Sequence, residues 1–332
     1  NLATGNIDRL TGGVNEYALM GAFFRLTYGY KGRYLFETNG RYDGSSRFLP
    51  GHKWGFFPSA ALKWSVKNEK FLRKARWMNV LDLRATYGRT GNDAIPAYRS
   101  LQAYSTSSSD VFDGVQGPIL SLNRLENPNL TWETTDMANA ALEMSVLNKR
   151  LTLTLEGYWS WTKDLLLNVS TMHTTGYASR LSNLGLTRNS GLELTLNSIN
   201  IERPKFGWNT AFTISHNKQL VADTGNNDFV PTIKSPGNIN YMMYGYKSGY
   251  PLNSLWGFEY GGTVKSVEEY YDNVETRKYA YKEAFSASNC LGHSRYVDQN
   301  NDGALDQKDL VYLGNGDPIV SGGLQNDFFF GN

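Results

Sequence analysis

Leu151, Leu153, Leu155, Gly157, Trp159 and Trp161 alternate with Thr152, Thr154, Glu156 and Ser160 along residues 150–162. A period of two puts the first set on one face of a β-strand and the second on the other. About nine copies of this pattern follow one another along the chain. Other apolar rows run from Met20 to Tyr30, Tyr34 to Tyr42, Phe56 to Val66, Leu81 to Tyr87 and Ala138 to Val146. The remainder run from Leu192 to Leu196, Phe206 to Ile214 and, more weakly, Val320 to Phe330. The gaps alternate short and long. Lys31-Gly32, Asn148-Lys149 and Glu202-Arg203-Pro204 read as hairpin turns, and the longer span from Glu69 to Asn79 falls at the same end. The other gaps run from Gly44 to Lys53, Gly91 to Thr131, Lys163 to Thr187 and Gln219 to Pro318. Strand direction reverses at each connection, so every long loop lands on one side. Tight turns at one end and long loops at the other predict an all-β chain, a transmembrane antiparallel β-barrel.

Composition supports that layout. Charged residues make up only 19% of the chain, while 33 Gly, 21 Tyr and 8 Trp suit a barrel with aromatic girdles. A soluble β-sandwich also alternates and is also Gly-rich. Its strands usually run five or six residues, however, and rows of ten to thirteen match a tilted membrane-crossing strand. No run approaches the ~18 apolar residues of a membrane helix, and the first residues, Asn-Leu-Ala-Thr-Gly, show no signal-peptide pattern. The formal charge of +2 is too small to argue for nucleic acid. The single Cys290 excludes an internal disulfide. Nine strands is an odd count, and single-chain bacterial barrels have an even one, so residues 1–332 are expected to be an interior slice of a larger barrel.

One short motif carries site chemistry. Asp298-Gln-Asn-Asn-Asp-Gly-Ala-Leu-Asp-Gln-Lys-Asp309 fits the calcium-loop template, with oxygen ligands at fixed spacing and a glycine, Gly303, at the sharp turn. Asp298, Asn300 and Asp302 would supply side-chain oxygens and Ala304 its carbonyl. Asp306 would ligate directly or through water, and Asp309 replaces the usual Glu, a shorter arm that weakens the site. The competing reading is an Asx-rich turn with no ion. The ion that this template fits is Ca²⁺, expected to act as a loop staple.

Nothing else suggests catalysis, and the chain is expected not to be an enzyme. His52, His173, His216 and His293 form no metal spacing, and no nucleophile elbow or phosphate loop is present. Both signs of charge alternate with the apolar rows, among them Arg25, Glu37, Arg41, Lys63, Asp82, Arg84, Glu143, Glu156 and Glu193. A hydrophilic lumen tolerates that mixture. The last long loop carries Tyr241, Tyr244, Tyr246 and Trp256 in polar company. Such faces suit sugar rings or peptides, although for any single residue local loop packing is the commoner explanation.

Several segments together resemble the SusC/RagA-type TonB-linked outer-membrane proteins of Bacteroidetes. They are Arg41-Tyr-Asp-Gly-Ser-Ser-Arg-Phe48 with Trp54-Gly-Phe-Phe-Pro-Ser59, Leu83-Arg-Ala-Thr-Tyr-Gly-Arg-Thr-Gly-Asn92, Asn127-Pro-Asn-Leu-Thr-Trp-Glu133 and Arg188-Asn-Ser-Gly-Leu-Glu-Leu194. Trp256-Gly-Phe-Glu-Tyr260, the acidic loop 298–309 and Gly314-Asn-Gly-Asp-Pro318 complete the set. The resemblance implies a 22-stranded barrel with an N-terminal plug in the outer membrane of a Gram-negative cell, its long loops extracellular. It implies TonB-driven import of oligosaccharides or peptides with a SusD-like surface lipoprotein as lid. It also implies that the plug and the TonB-contacting parts lie outside this chain. The alternative is a soluble or surface-displayed, calcium-holding β-rich protein that binds glycans or peptides. Detergent dependence separates the two.

Overall fold

The computed structural model describes residues 15–112, 115–170, 177, 179–225, 229–234, 242–266, 291–292, 294–301 and 307–331. Nine long strands form one antiparallel sheet in strict chain order. They are Leu19–Tyr30, Tyr34–Ser45, Trp54–Ser65, Met78–Asn92, Glu133–Val146, Leu151–Lys163, Leu186–Arg203, Phe206–Asp223 and Val320–Phe330, called here the first to ninth wall strands. Each matches one of the nine apolar rows. Several outrun theirs: the seventh and eighth reach 18 residues, because the pairing continues past the apolar segment toward the long loops.

Register keeps the two faces apart across strands. Leu155 lies between Leu142 and Leu194, and Leu153 between Met144 and Leu196. On the opposite face Thr154 lies between Glu143 and Thr195, and Glu156 between Ala141 and Glu193. Since a one-residue slip would invert every side chain, this continuity sets the wall's orientation. No second sheet covers the apolar face among the described residues. Leu26, Leu62, Trp159 and Leu192 all stay at least half exposed on it. A soluble sandwich would bury them, so the sandwich alternative lacks its second layer.

The short turns lie at one end, as their chemistry requires. Lys31 and Gly32 both have positive φ, 51° and 61°, and the Arg33 amide donates to the Tyr30 carbonyl. That is the turn whose twist matches antiparallel strands. The next connection is longer and is tied down by Glu69, which is nearly buried. Its carboxylate accepts from Arg33 (2.7 Å), the Tyr34 hydroxyl (2.6 Å) and the Trp64 indole (3.2 Å). Lys67 caps the same turn by donating to the carbonyls of Leu72 and Ala75.

The long connections carry strands of their own. Ala103–Phe112 pairs with Val115–Arg124, and Leu166–Ser170 with Ser179–Asn183. The last connection holds a four-stranded sheet of Val230–Lys234, Met242–Tyr246, Ser254–Phe258 and Leu310–Asn315. Beside it Tyr260–Thr263 pairs with Ser294–Tyr296.

Candidate functional site

The long-loop end is organised by two apolar clusters. Phe48, Phe57, Ile95, Leu130, Trp132 and Leu181 form the first, with Leu166 packed against it. The residues come from three connections and the loop end of the third wall strand, so burying them ties the loops to one another and to the wall. Polar bonds complete the tie. The Trp132 indole donates to the Lys53 carbonyl, the Asn127 amide to the Leu181 carbonyl, and the Asn183 amide to the carbonyls of Thr131 and Asp164.

Trp256 centres the second cluster, at 1% exposure. Tyr250 and Tyr312 meet its ring at 4.7 and 5.8 Å between centroids, Phe229 at 5.6 Å, and Lys247 sits 5.2 Å above it. Its indole donates to the Gly245 carbonyl. Gly245 must be small, because a Cβ there would meet Phe229 at 2.2 Å. Of the four aromatics expected to face substrate, Trp256 is thus an anchor of the loop sheet. Met243 is its cross-strand partner, which puts neighbouring Tyr244 on the other face of that sheet. Tyr244 is exposed there and Tyr246 half-buried two residues along. Tyr241 lies outside the described residues.

The acidic loop is anchored on both sides. Asp298 and Asp309, its first and last positions, are buried at 6% and 0% exposure. The Gln299 amide donates to Asp309 Oδ1 at 3.0 Å, so the end of the loop folds back on its start. The Gln299 side chain donates to Glu259, and the Val297 amide to the Glu259 carbonyl. Asn300 is exposed beside Asn301, whose φ is +58°. Asp302, Ala304 and Asp306 lie outside the described residues. Two carboxylates buried at the ends of one loop form a hard-oxygen donor set that a divalent cation would neutralise.

The hydrophilic face of the wall is a ladder of ion pairs. Arg25 meets Glu37 at 2.6 Å and Lys63 meets Asp82 at 2.6 Å. Arg84 is shared between Glu143 (3.4 Å) and Glu156 (3.5 Å). The Asn139 amide also donates to Glu156. A recess of about 660 Å³ opens on this face, lined chiefly by Phe23, Arg25, Asn39, Arg41, Asp43 and Phe57. Phe23 lies off the apolar row of its strand. It is 82% exposed and is the apolar residue that breaks the first row's alternation, beside Phe24 on the opposite face. One charged group departs from the pattern. Asp136 shares a face with Tyr87 and the apolar row at the loop end of the wall, where it is buried. Arg89 grips it with two bonds (2.7 and 2.9 Å), the Tyr87 hydroxyl donates to it, and Lys163 approaches at 3.8 Å.

The model of the TonB-dependent receptor-like β-barrel matches residues 2–318. The chain belongs to the TonB-dependent receptor family. TonB-dependent receptor P26 of Formosa agariphila is 34% identical over 97% of this chain and 31% of its own length. The receptor SusC of Bacteroides thetaiotaomicron is 30% identical over 88% of this chain and 28% of its own. Among solved structures, the RagAB peptide transporter superposes with a TM-score of 0.74 at 22% identity, covering 99% of this chain and 34% of that one. The chain thus spans about a third of the relatives it matches. The family likeness expected from the motifs holds, and with it an outer-membrane location and a non-enzymatic role. The nine strands are part of a barrel wall. Their apolar face is the lipid face and their charged face the lumen.

Proposed function

We propose that the protein to which this wall belongs imports a nutrient oligomer, an oligosaccharide or a peptide, using TonB-derived energy and a SusD-like surface lipoprotein as lid. The observation that carries this reading is the loop end. Its connections share one rim, and each apolar cluster holds them as a folded surface. Loops this long are usually functional, and rigid support is what a vestibule or a lid contact needs. The lumen recess adds a second element. Arginine and carboxylate groups beside the exposed Phe23 ring offer both polar and ring contacts to a polymer of polar units. One structural neighbour is a peptide transporter, which keeps peptides beside oligosaccharides among the candidate cargo.

The test is deletion of Tyr241 to Tyr250 in the full-length protein, followed by uptake of labelled oligosaccharides and peptides and by pull-down of the lipoprotein. Loss of either with the barrel still inserted supports the reading. If both are unchanged, these loops are not the working surface.

Calcium belongs to the same proposal as a staple of the 298–309 loop. Buried Asp298 and Asp309 support it. Metal analysis of the purified protein should find about one equivalent that is lost in Asp298→Ala/Asp302→Ala. An empty site in millimolar calcium would rule the ion out.

A further inference from the structure

The short-turn rim is strongly and one-sidedly charged. Residues 31–33, 66–77, 147–150 and 202–205 contain eleven lysines and arginines against two carboxylates, Glu69 and Glu202. The whole chain carries only +2, so positive charge is concentrated at this end. Glu69 is already committed to Arg33. Arg150 donates to the carbonyls of Ile199 and Asn200, and Lys67 caps its own turn. Lys70, Arg73, Lys74 and Arg76 are exposed on the second connection, and Lys149, Arg203 and Lys205 on the next two. None of these seven forms a salt bridge within the described residues.

Apolar side chains are interleaved with the cations. Phe71 (71% exposed) and Trp77 (58%) alternate with them on the second connection, and Leu147 (59%) precedes Lys149 on the third. Just inside the rim, the stacked pairs Tyr34–Trp64 and Trp208–Phe328 mark the aromatic belt at the edge of the apolar band. Rings at headgroup depth with long basic side chains reaching past them make a membrane-surface pattern. We propose that this rim binds the phosphate headgroups of anionic phospholipids in the leaflet that the short turns reach. An acidic protein would supply the same charge, but not a reason for exposed Phe, Trp and Leu on separate turns just beyond the aromatic belt.

The test uses the full-length protein in nanodiscs of phosphatidylcholine with one-fifth phosphatidylglycerol, with lipid analysis of the shell retained on extraction. The wild type should enrich phosphatidylglycerol about threefold or more over bulk, given the attraction of each basic residue to an anionic surface. Raised salt should erase the enrichment. Lys70→Gln/Arg73→Gln/Lys74→Gln/Arg76→Gln should bring it close to bulk, while exchanging Lys and Arg at the same four positions should preserve it. Heat-modifiable migration checks that the barrel is folded, and Lys70→Gln/Lys74→Gln replaces the quadruple variant if it is not. Equal enrichment in wild type and neutralised variant, or none in the wild type, overturns the proposal. So does co-purification of an acidic protein that depends on these cations while the lipid ratio stays flat.

Discussion

Replacing Leu155 by Arg measures how deep this wall sits in lipid. The sixth wall strand has 13 residues, Leu151–Lys163. At ~3.3 Å per residue and a tilt of roughly 40°, each residue adds about 2.5 Å of height. With the midplane near the strand's centre, Gly157, Leu155 lies about 5 Å from it and Leu153 about 10 Å. An arginine on the lipid face costs roughly 2–4 kcal/mol at the midplane and ~0–1 near the interface. Leu155→Arg should therefore cost about 2–3 kcal/mol, and Leu153→Arg about 1 kcal/mol. Thr154→Arg, beside Glu143 on the lumen face, should cost less than about 1 kcal/mol. The assay is denaturant-induced unfolding of the full-length protein in phosphatidylcholine vesicles. The Leu155 variant should shift the folded-to-unfolded ratio by about 30- to 150-fold. A neutral Leu155→Arg alongside a costly Thr154→Arg would refute both the face assignment and the depth.

Three further outcomes are expected. Glu69 is held below the usual carboxylate range by the Tyr34 hydroxyl and the Arg33 guanidinium. A depressed carboxyl contributes stability that is present above its unfolded pKa, about 4.3, and lost as pH falls through the lower folded value. Protease nicking at residues 70–76 should therefore rise on acidification below about pH 4 in the wild type and already be high at pH 7 in Glu69→Gln. Gly245→Val should loosen the loop sheet by driving a side chain into Phe229, costing about 1–3 kcal/mol, read as faster hydrogen exchange at Met242–Tyr246 with the wall unchanged. Trp256→Ala should do the same more strongly, by about 3–5 kcal/mol, and weaken any lipoprotein contact only through the loop's folding.

The wall was legible in the sequence because its signal is repetitive. Each strand presents one face to lipid and one to the lumen, so the alternation survives over ten or more residues and the nine rows became nine paired strands. Turn chemistry was legible for the same local reason, as at Lys31-Gly32. The loops were not. Their strands are short, and the aromatics that build their cores have the same composition as a binding surface. Trp256 looked like a stacking platform, and only its contacts with Phe229, Tyr250 and Tyr312 reveal an anchor. Phe23 and the lumen recess depend on which strands lie side by side. The rim's charge was visible residue by residue, but the turns had to be gathered at one end before it became a surface.

Spin labels placed one at a time along residues 150–162 of the full-length protein in membranes test the central assignment most directly. Collision with lipid-dissolved oxygen should be high at Leu151, Leu153, Leu155 and Trp159. Collision with a water-soluble relaxant should instead be high at Thr152, Thr154 and Glu156, in phase with the register to Met144 and Glu143. Oxygen accessibility highest at the even positions, or with no period of two, would contradict the account of this chain as a membrane wall with its charged face to the lumen.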